Sequence, residues 1–200
     1  MADADTSGRS NQKRRTRKAL LEAAARLMQS GRKPSFDEVA EEALVSRATA
    51  YRYFSGIEPL LNEASLDIAM PAPALFEGDD STDVAARAIK AEAAVDRMVR
   101  ANETALRMML INALQRSLED QAGEGTPARQ NRRSALIEAA LAPLSRRNRP
   151  AADRLAQALA LVIGTEARLV LRDVLQLDDD EAGSVKAWMI RALVEATERG

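Results

Sequence analysis

The stretch Phe36-Asp-Glu-Val-Ala-Glu-Glu-Ala-Leu-Val-Ser-Arg-Ala-Thr-Ala-Tyr-Arg-Tyr-Phe54 decides how this chain folds. Val39, Ala40 and Ala43 follow Phe36 at three, four and seven residues, the inward stripe of a short helix. Ser35 stands immediately before it and Glu38 three residues later, a capping box that satisfies free backbone N–H groups at the helix start. The helix is expected to run to about Ala43. A turn of three or four residues then ends at Ser46, whose hydroxyl is placed to cap a further short helix that begins at Arg47 and bears Thr49, Tyr51, Arg52 and Tyr53. Two short helices joined by such a turn cross steeply as close neighbours.

Upstream, Leu20, Ala24, Leu27 and Met28 repeat on one helical face between Arg14 and about Ser30, with Gly31 as the stop and Pro34 in the loop. Residues 1–12 read as a disordered leader. Downstream, Gly56 precedes a fourth helix in which Pro59 falls in the tolerant first turn and Leu60, Leu61, Ala64 and Ile68 form the core face. Met70 to Ser81, with Pro71, Pro73 and Gly78, is the clearest break. The expected organisation is therefore a domain over 13–70 and a second over 71–200. The latter should hold helices at about 82–101, 103–119, 128–147, 150–176 and 179–198, with a Gly/Pro loop at 120–127.

Hydrophobic residues make up 46% of the 200-residue chain, aromatics only 3% and charged residues 30%, a balance that suits amphipathic helices. The fold class expected is all-α. There is no Cys and no His, which removes disulfides, thiol and imidazole catalysis, and the usual ligands of zinc and transition metals. No phosphate loop, close acid/base set or cofactor motif appears, so neither an enzyme nor a cofactor or metal protein is expected. The start lacks the apolar stretch of a signal peptide, and the longest apolar run is too short to span a bilayer; a cytoplasmic location without membrane partners is the expectation. The formal net charge of −1 hides an asymmetry, because residues 9–56 hold eleven Lys/Arg against five acids. A basic block on an otherwise acidic chain is the footprint of nucleic-acid binding, although solvated helices also show it.

The helix from Arg47 is built to suit a major groove, where arginine can donate two hydrogen bonds to a guanine edge and Thr, Tyr and Arg can reach phosphates. Spacing alone would equally fit an ordinary helical hairpin with a solvated face. The pattern Val-Ala-(x)5-Val-Ser-Arg-x-Thr-x-Tyr-Arg-Tyr-Phe, followed by Leu60-Leu61 and preceded by a basic helix, resembles the DNA-binding domain of the TetR family of repressors over residues 13–68. That resemblance implies base or groove contacts from Arg47, Ala48 and Arg52, and phosphate contacts from Thr49, Tyr51 and Tyr53, with Ala50 and Phe54 as core. It also places Ser35 and the basic run Lys13, Arg14, Arg15 and Arg17 on the DNA side. Two departures stand out: Leu44 sits where the family usually has the turn glycine, so the turn must avoid a left-handed residue or bear strain. Ile57 replaces a common lysine and should lie near the DNA backbone.

In the last helix Val185, Trp188, Met189, Ala192, Leu193 and Ala196 form one apolar stripe, and the preceding helix offers Leu155, Leu159, Val162, Ile163 and Val170. These resemble the two helices with which this family forms a homodimer, intramolecular core being the alternative. By the same resemblance the intervening helices would surround a pocket for an unknown small-molecule effector, with Arg97, Met98, Met108, Met109, Asn112 and Arg116 as candidate lining. Glu166 lies at an angle beside apolar residues, where a carboxylate needs a partner; an arginine at the dimer seam or a place in the cavity would supply one. The implied activity is that of a repressor on palindromic double-stranded operator DNA, released by effector. The alternative is a helix-turn-helix protein acting as an interaction module or binding DNA without specificity.

Overall fold

The computed structural model describes residues 3–28, 33–119 and 131–199, and among these there is no β-strand. The elements are α1 (Asp3–Met28), α2 (Phe36–Glu42), α3 (Arg47–Tyr51), α4 (Ile57–Ala69), a 3₁₀ turn at Pro73–Phe76, α5 (Val84–Ala101), α6 (Glu103–Glu119), α7 (Ser134–Ala140), α8 (Ala142–Arg147), α9 (Arg149–Val162), α10 (Thr165–Leu169), a π-turn at Val170–Val174 and α11 (Asp179–Arg199). The all-α expectation holds. Two compact units result, Met1–Ala69 with Thr104–Gln130, and Met70–Glu103 with Asn131–Gly200. Helix α6 thus groups with the N-terminal unit, where the sequence placed it in the second domain.

In the first unit the expected stripes meet. Leu20, Leu21, Ala23 and Ala24 of α1, Phe36, Val39 and Ala40 of α2, Ala50 and Phe54 around α3, and Leu60, Leu61 and Ala64 of α4 are buried together, with Leu27, Met28, Ala43, Val45, Tyr53 and Ile57 packed partly against them. Two details depart from expectation. Helix α1 begins at Asp3, inside the segment expected as a disordered leader. Once a helix is nucleated each further residue adds one backbone hydrogen bond, so the leader can extend it. Ile68 is 53% exposed, and Leu66 at 1% takes the inward position instead.

Arg17 is drawn into this core. It is 6% exposed, its Nη2 meets the Glu63 carboxylate at 2.5 Å and its Nη1 donates to the Tyr53 carbonyl at 3.1 Å. The guanidinium also lies over the Phe54 ring, 4.3 Å from its centroid. One side chain of α1 therefore ties the end of α3 to α4.

The second unit packs α11 against α5 and α9, and α7 against α5 and α9. Leu136, Ile137, Leu141, Leu155, Leu159, Ile163 and Ile190 are its largest fully buried side chains. Lys186 of α11 is buried with Glu92 of α5, with which it pairs, and it reaches the half-buried Asp96 at 2.7 Å. Arg87 of α5 donates to the Ala139 and Ala140 carbonyls at 2.9 and 3.0 Å, satisfying the free end of α7.

The long helices expected at 128–147 and 150–176 are each broken, and residues 128–130 and the expected loop at 120–127 lie outside the described residues. The first divides at Leu141, with Pro143 in the opening turn of α8, where its missing N–H costs nothing. The second ends at Val162, because Ile163 turns extended and Gly164 adopts φ 137°. Arg133 explains the break. Its Nη1 donates to the Ile163 carbonyl at 2.8 Å and to Glu166 at 2.9 Å, and a Cβ on Gly164 would collide with that nitrogen.

Candidate nucleic-acid interface

The geometry of α2, its turn and α3 follows from three local devices. The capping box is present: Glu38 N donates to Ser35 Oγ at 3.2 Å and Ser35 N to the Glu38 carboxylate at 2.7 Å. The turn is closed by Val45 N to Ala40 O at 3.0 Å and Leu44 N to Glu41 O at 2.9 Å, the paired bonds of a Schellman motif. Ser46 then caps α3, accepting from Thr49 N at 3.1 Å and donating to Thr49 Oγ1 at 2.9 Å.

The Schellman motif needs a left-handed residue at its fifth position, and that residue is Leu44, with φ 56°. Its side chain is 92% exposed, so no packing offsets the clash of its Cβ with the backbone. Of the two outcomes open from sequence, the turn bears the strain. Leu44→Gly is expected to stabilise the protein by about 1 kcal/mol, a little less than the full left-handed penalty because glycine also loosens the unfolded chain. Urea unfolding measures it; a loss of stability would show that the left-handed turn at Leu44 stores no strain for glycine to relieve.

On α3 the buried Ala50 and Phe54 leave an outward face. Arg47, Ala48, Tyr51 and Arg52 are exposed, and Thr49 and Tyr53 are half-buried. Arg47 is not loose on this face. Its Nη1 donates to Asp37 Oδ2 at 2.9 Å and its Nη2 lies 3.4 Å from the Tyr51 hydroxyl. The Tyr51 hydroxyl first, and Asp37 second, favour the charged guanidinium and raise its pKa. Tyr51 in turn stacks on Phe36 with centroids 4.4 Å apart.

The other expected contacts divide. Ser35 has its hydroxyl committed to the α2 cap. Along α1, Arg14 and Arg15 are exposed and Lys13 is half-buried. Arg17 is corrected: its burial against Glu63 and Tyr53 makes it a fold residue, with no edge left toward a phosphate. Ile57, like Tyr53, is half-buried and packs partly against the core of the unit.

The effector candidates fall in both units. Met108 and Met109 of α6 line a cleft of about 350 Å³ with Tyr53, Phe54, Pro59 and Asn62. Arg97 and Met98 belong to the other unit, Arg97 exposed and Met98 buried at 7% in the core. Glu166 has its arginine within its own chain, Arg133, in place of a partner across a seam. The side chains of Asn112 and Arg116 lie outside the described residues.

The apolar stripe of α11 faces outward. Trp188 is 66% exposed, Val185, Met189, Ala192 and Leu193 are half-buried and Ala196 is exposed, while the opposite positions Ala182, Lys186, Ile190 and Val194 are buried. The α9 residues Leu155, Leu159, Val162 and Ile163 are each no more than 2% exposed, so they are core of their own chain and cannot meet a second copy. On α9 and the π-turn it is Leu161, Val170 and Val174 that are exposed.

Sequence reasoning missed Asp37 and Glu63, which orient Arg47 and Arg17. Each lies far along the chain from its partner, and nothing in the periodicity singles it out.

Residues 20–64 match the family described as bacterial regulatory proteins, tetR family. No curated protein and no solved structure matches the chain. No helix among the described residues is long and apolar enough to cross a membrane. The matched segment runs from the core of α1 through the capped α2-turn-α3 pair to α4, so this segment is a helix-turn-helix DNA-binding domain of the kind that the tetR family of bacterial regulatory proteins carries.

Proposed function

We propose that the protein is a cytoplasmic, homodimeric repressor that sets α3 of each copy into the major groove of a palindromic operator and leaves it when a small molecule binds. The observation that supports this best is the division of labour on α3. Ala50 and Phe54 anchor the helix in the core, and Arg47, Ala48, Tyr51 and Arg52 stand outward, the arrangement that groove reading requires. In this reading Arg47 and Arg52 contact bases, Ala48 approaches the groove floor, and Thr49, Tyr51 and Tyr53 hold phosphates. Arg14, Arg15 and Lys13 add sequence-independent affinity. The outward stripe of α11 around Trp188 is the dimer seam, and the cleft beside Met108 and Met109 is where an effector would reach the end of α3.

Selection of bound sequences from random DNA tests the reading: an enriched, two-fold symmetric motif supports it. Binding that is uniform across sequences would leave a non-specific DNA-binding or interaction module. Arg47→Ala should weaken the selected operator by about 1–3 kcal/mol and relax one base position in each half-site. Titrations against operator and scrambled duplex measure both; equal weakening on the two would reduce Arg47 to a phosphate contact.

A further inference from the structure

We infer that Asp37 is a specificity-determining residue: its carboxylate holds the Arg47 guanidinium by one edge, so that the remaining donors are presented to a single base pair. The inference rests on the proposed reading of Arg47 as a base contact and extends it to a residue of the preceding helix.

Asp37 is the second residue of α2 and Arg47 the first of α3, and their side chains meet across the turn at 2.9 Å while remaining 60% and 61% exposed. A pair this open to water adds little to folding. Its geometry nevertheless restrains a side chain with many rotamers. The guanidinium is fixed at Nη1 by Asp37 and supported at Nη2 by Tyr51, with its carbon 5.6 Å from the centroid of the Tyr51 ring. Tyr51 is itself fixed by stacking on Phe36, which is buried at 7%. A column therefore runs from the core outward through Phe36, Tyr51 and Arg47 to Asp37.

Two consequences follow from the chemistry. Arginine carries five N–H donors in a rigid fork, so a carboxylate on one of them leaves enough to meet the two acceptors of a guanine edge, and the ordering cost is met before DNA arrives. The carboxylate itself only accepts. Brought to a duplex, it is repelled by phosphates and by the acceptor edges of guanine and thymine, and tolerated beside the amino donors of cytosine or adenine. Attraction through Arg47 and rejection through Asp37 together sharpen discrimination.

The test compares the full-length protein with Asp37→Asn, Arg47→Ala and the double variant. Base preference at every half-site position is measured on randomised DNA, and affinity is measured for a duplex without the site. Asparagine keeps the size, so Asp37→Asn is expected to melt with the parent protein. It should lower the preference at the position that Arg47→Ala relaxes by about tenfold, and raise affinity for the unrelated duplex. In the Arg47→Ala background it should not change the preference at that position. If Asp37→Asn scales all sequences by one factor and every preference survives, Asp37 is a surface charge and the inference fails while the reading of Arg47 stands. If Arg47→Ala also leaves every preference intact, both fail.

Discussion

Lys186→Met is expected to remove about 3–5 kcal/mol of folding stability at neutral pH, because it strips the cation from the buried Glu92 carboxylate, whereas half-buried Asp96 keeps Arg100 as a partner at 3.0 Å. Lys186 is 5% exposed and Glu92 8%, with Asp96 completing the cluster at 2.7 Å from the ammonium. Methionine fills the same volume, so the loss is electrostatic. The dependence on pH identifies it. Burial holds the Glu92 carboxyl above the usual range, opposed mainly by the hydrogen bond and charge of Lys186; without Lys186 it should climb further. A carboxyl whose folded value lies above its unfolded one favours folding at low pH and loses that contribution as pH rises through the folded value. The deficit relative to the parent protein should thus shrink as the pH falls toward about 4.3, the ordinary glutamate value. Adding Glu92→Gln should recover part of the loss, since it removes one orphaned charge. Urea unfolding of the three proteins at two pH values decides the matter: a deficit below about 1 kcal/mol, as at an exposed pair, would show that water reaches the cluster.

What the sequence disclosed follows the range of the interactions involved. Caps act over three residues, so Ser35 with Glu38 and Ser46 with Thr49 could be read as they stand, and with them the boundaries of α2 and α3. Helical stripes gave the core of the first unit for the same reason. Charge gave no such guidance. Arg17 reads like its neighbours Arg14 and Arg15, and only the fold sets it against Glu63, 46 residues on. The break after α9 was equally hidden, because it depends on Arg133 reaching Gly164 from α7's side of the chain. A stripe also names a face without naming what covers it. The stripe of α11 does lie outward as the dimer reading requires, whereas that of α9 is spent within its own unit. The effector candidates show the same limit, because methionines at helical spacing mark apolar surface of any kind, and α6 and α5 belong to different units.

Trp188→Asp is expected to separate the proposed dimer and to lower operator affinity about a thousandfold or more, to the level of unrelated DNA. A helix turns 100° per residue, so Trp188 points away from the face on which Lys186, Ile190 and Val194 are buried. Within one copy it is 66% exposed, and an aspartate there meets water and leaves the fold intact. In an interface the same aspartate would be a charge forced among Val185, Met189, Ala192 and Leu193, which strongly opposes association. Operator binding should fall with it, since half-sites about 34 Å apart gain their joint affinity only from two linked recognition helices. As the chain's single tryptophan, Trp188 also reports on the parent protein: its emission should move to longer wavelength on dilution as the seam opens. Sedimentation of the variant with an unchanged melting profile at low concentration completes the measurement. A variant that still sediments as a dimer and grips the operator would remove the α11 stripe as the seam and return the exposed Leu161, Val170 and Val174 as the surface to be tested.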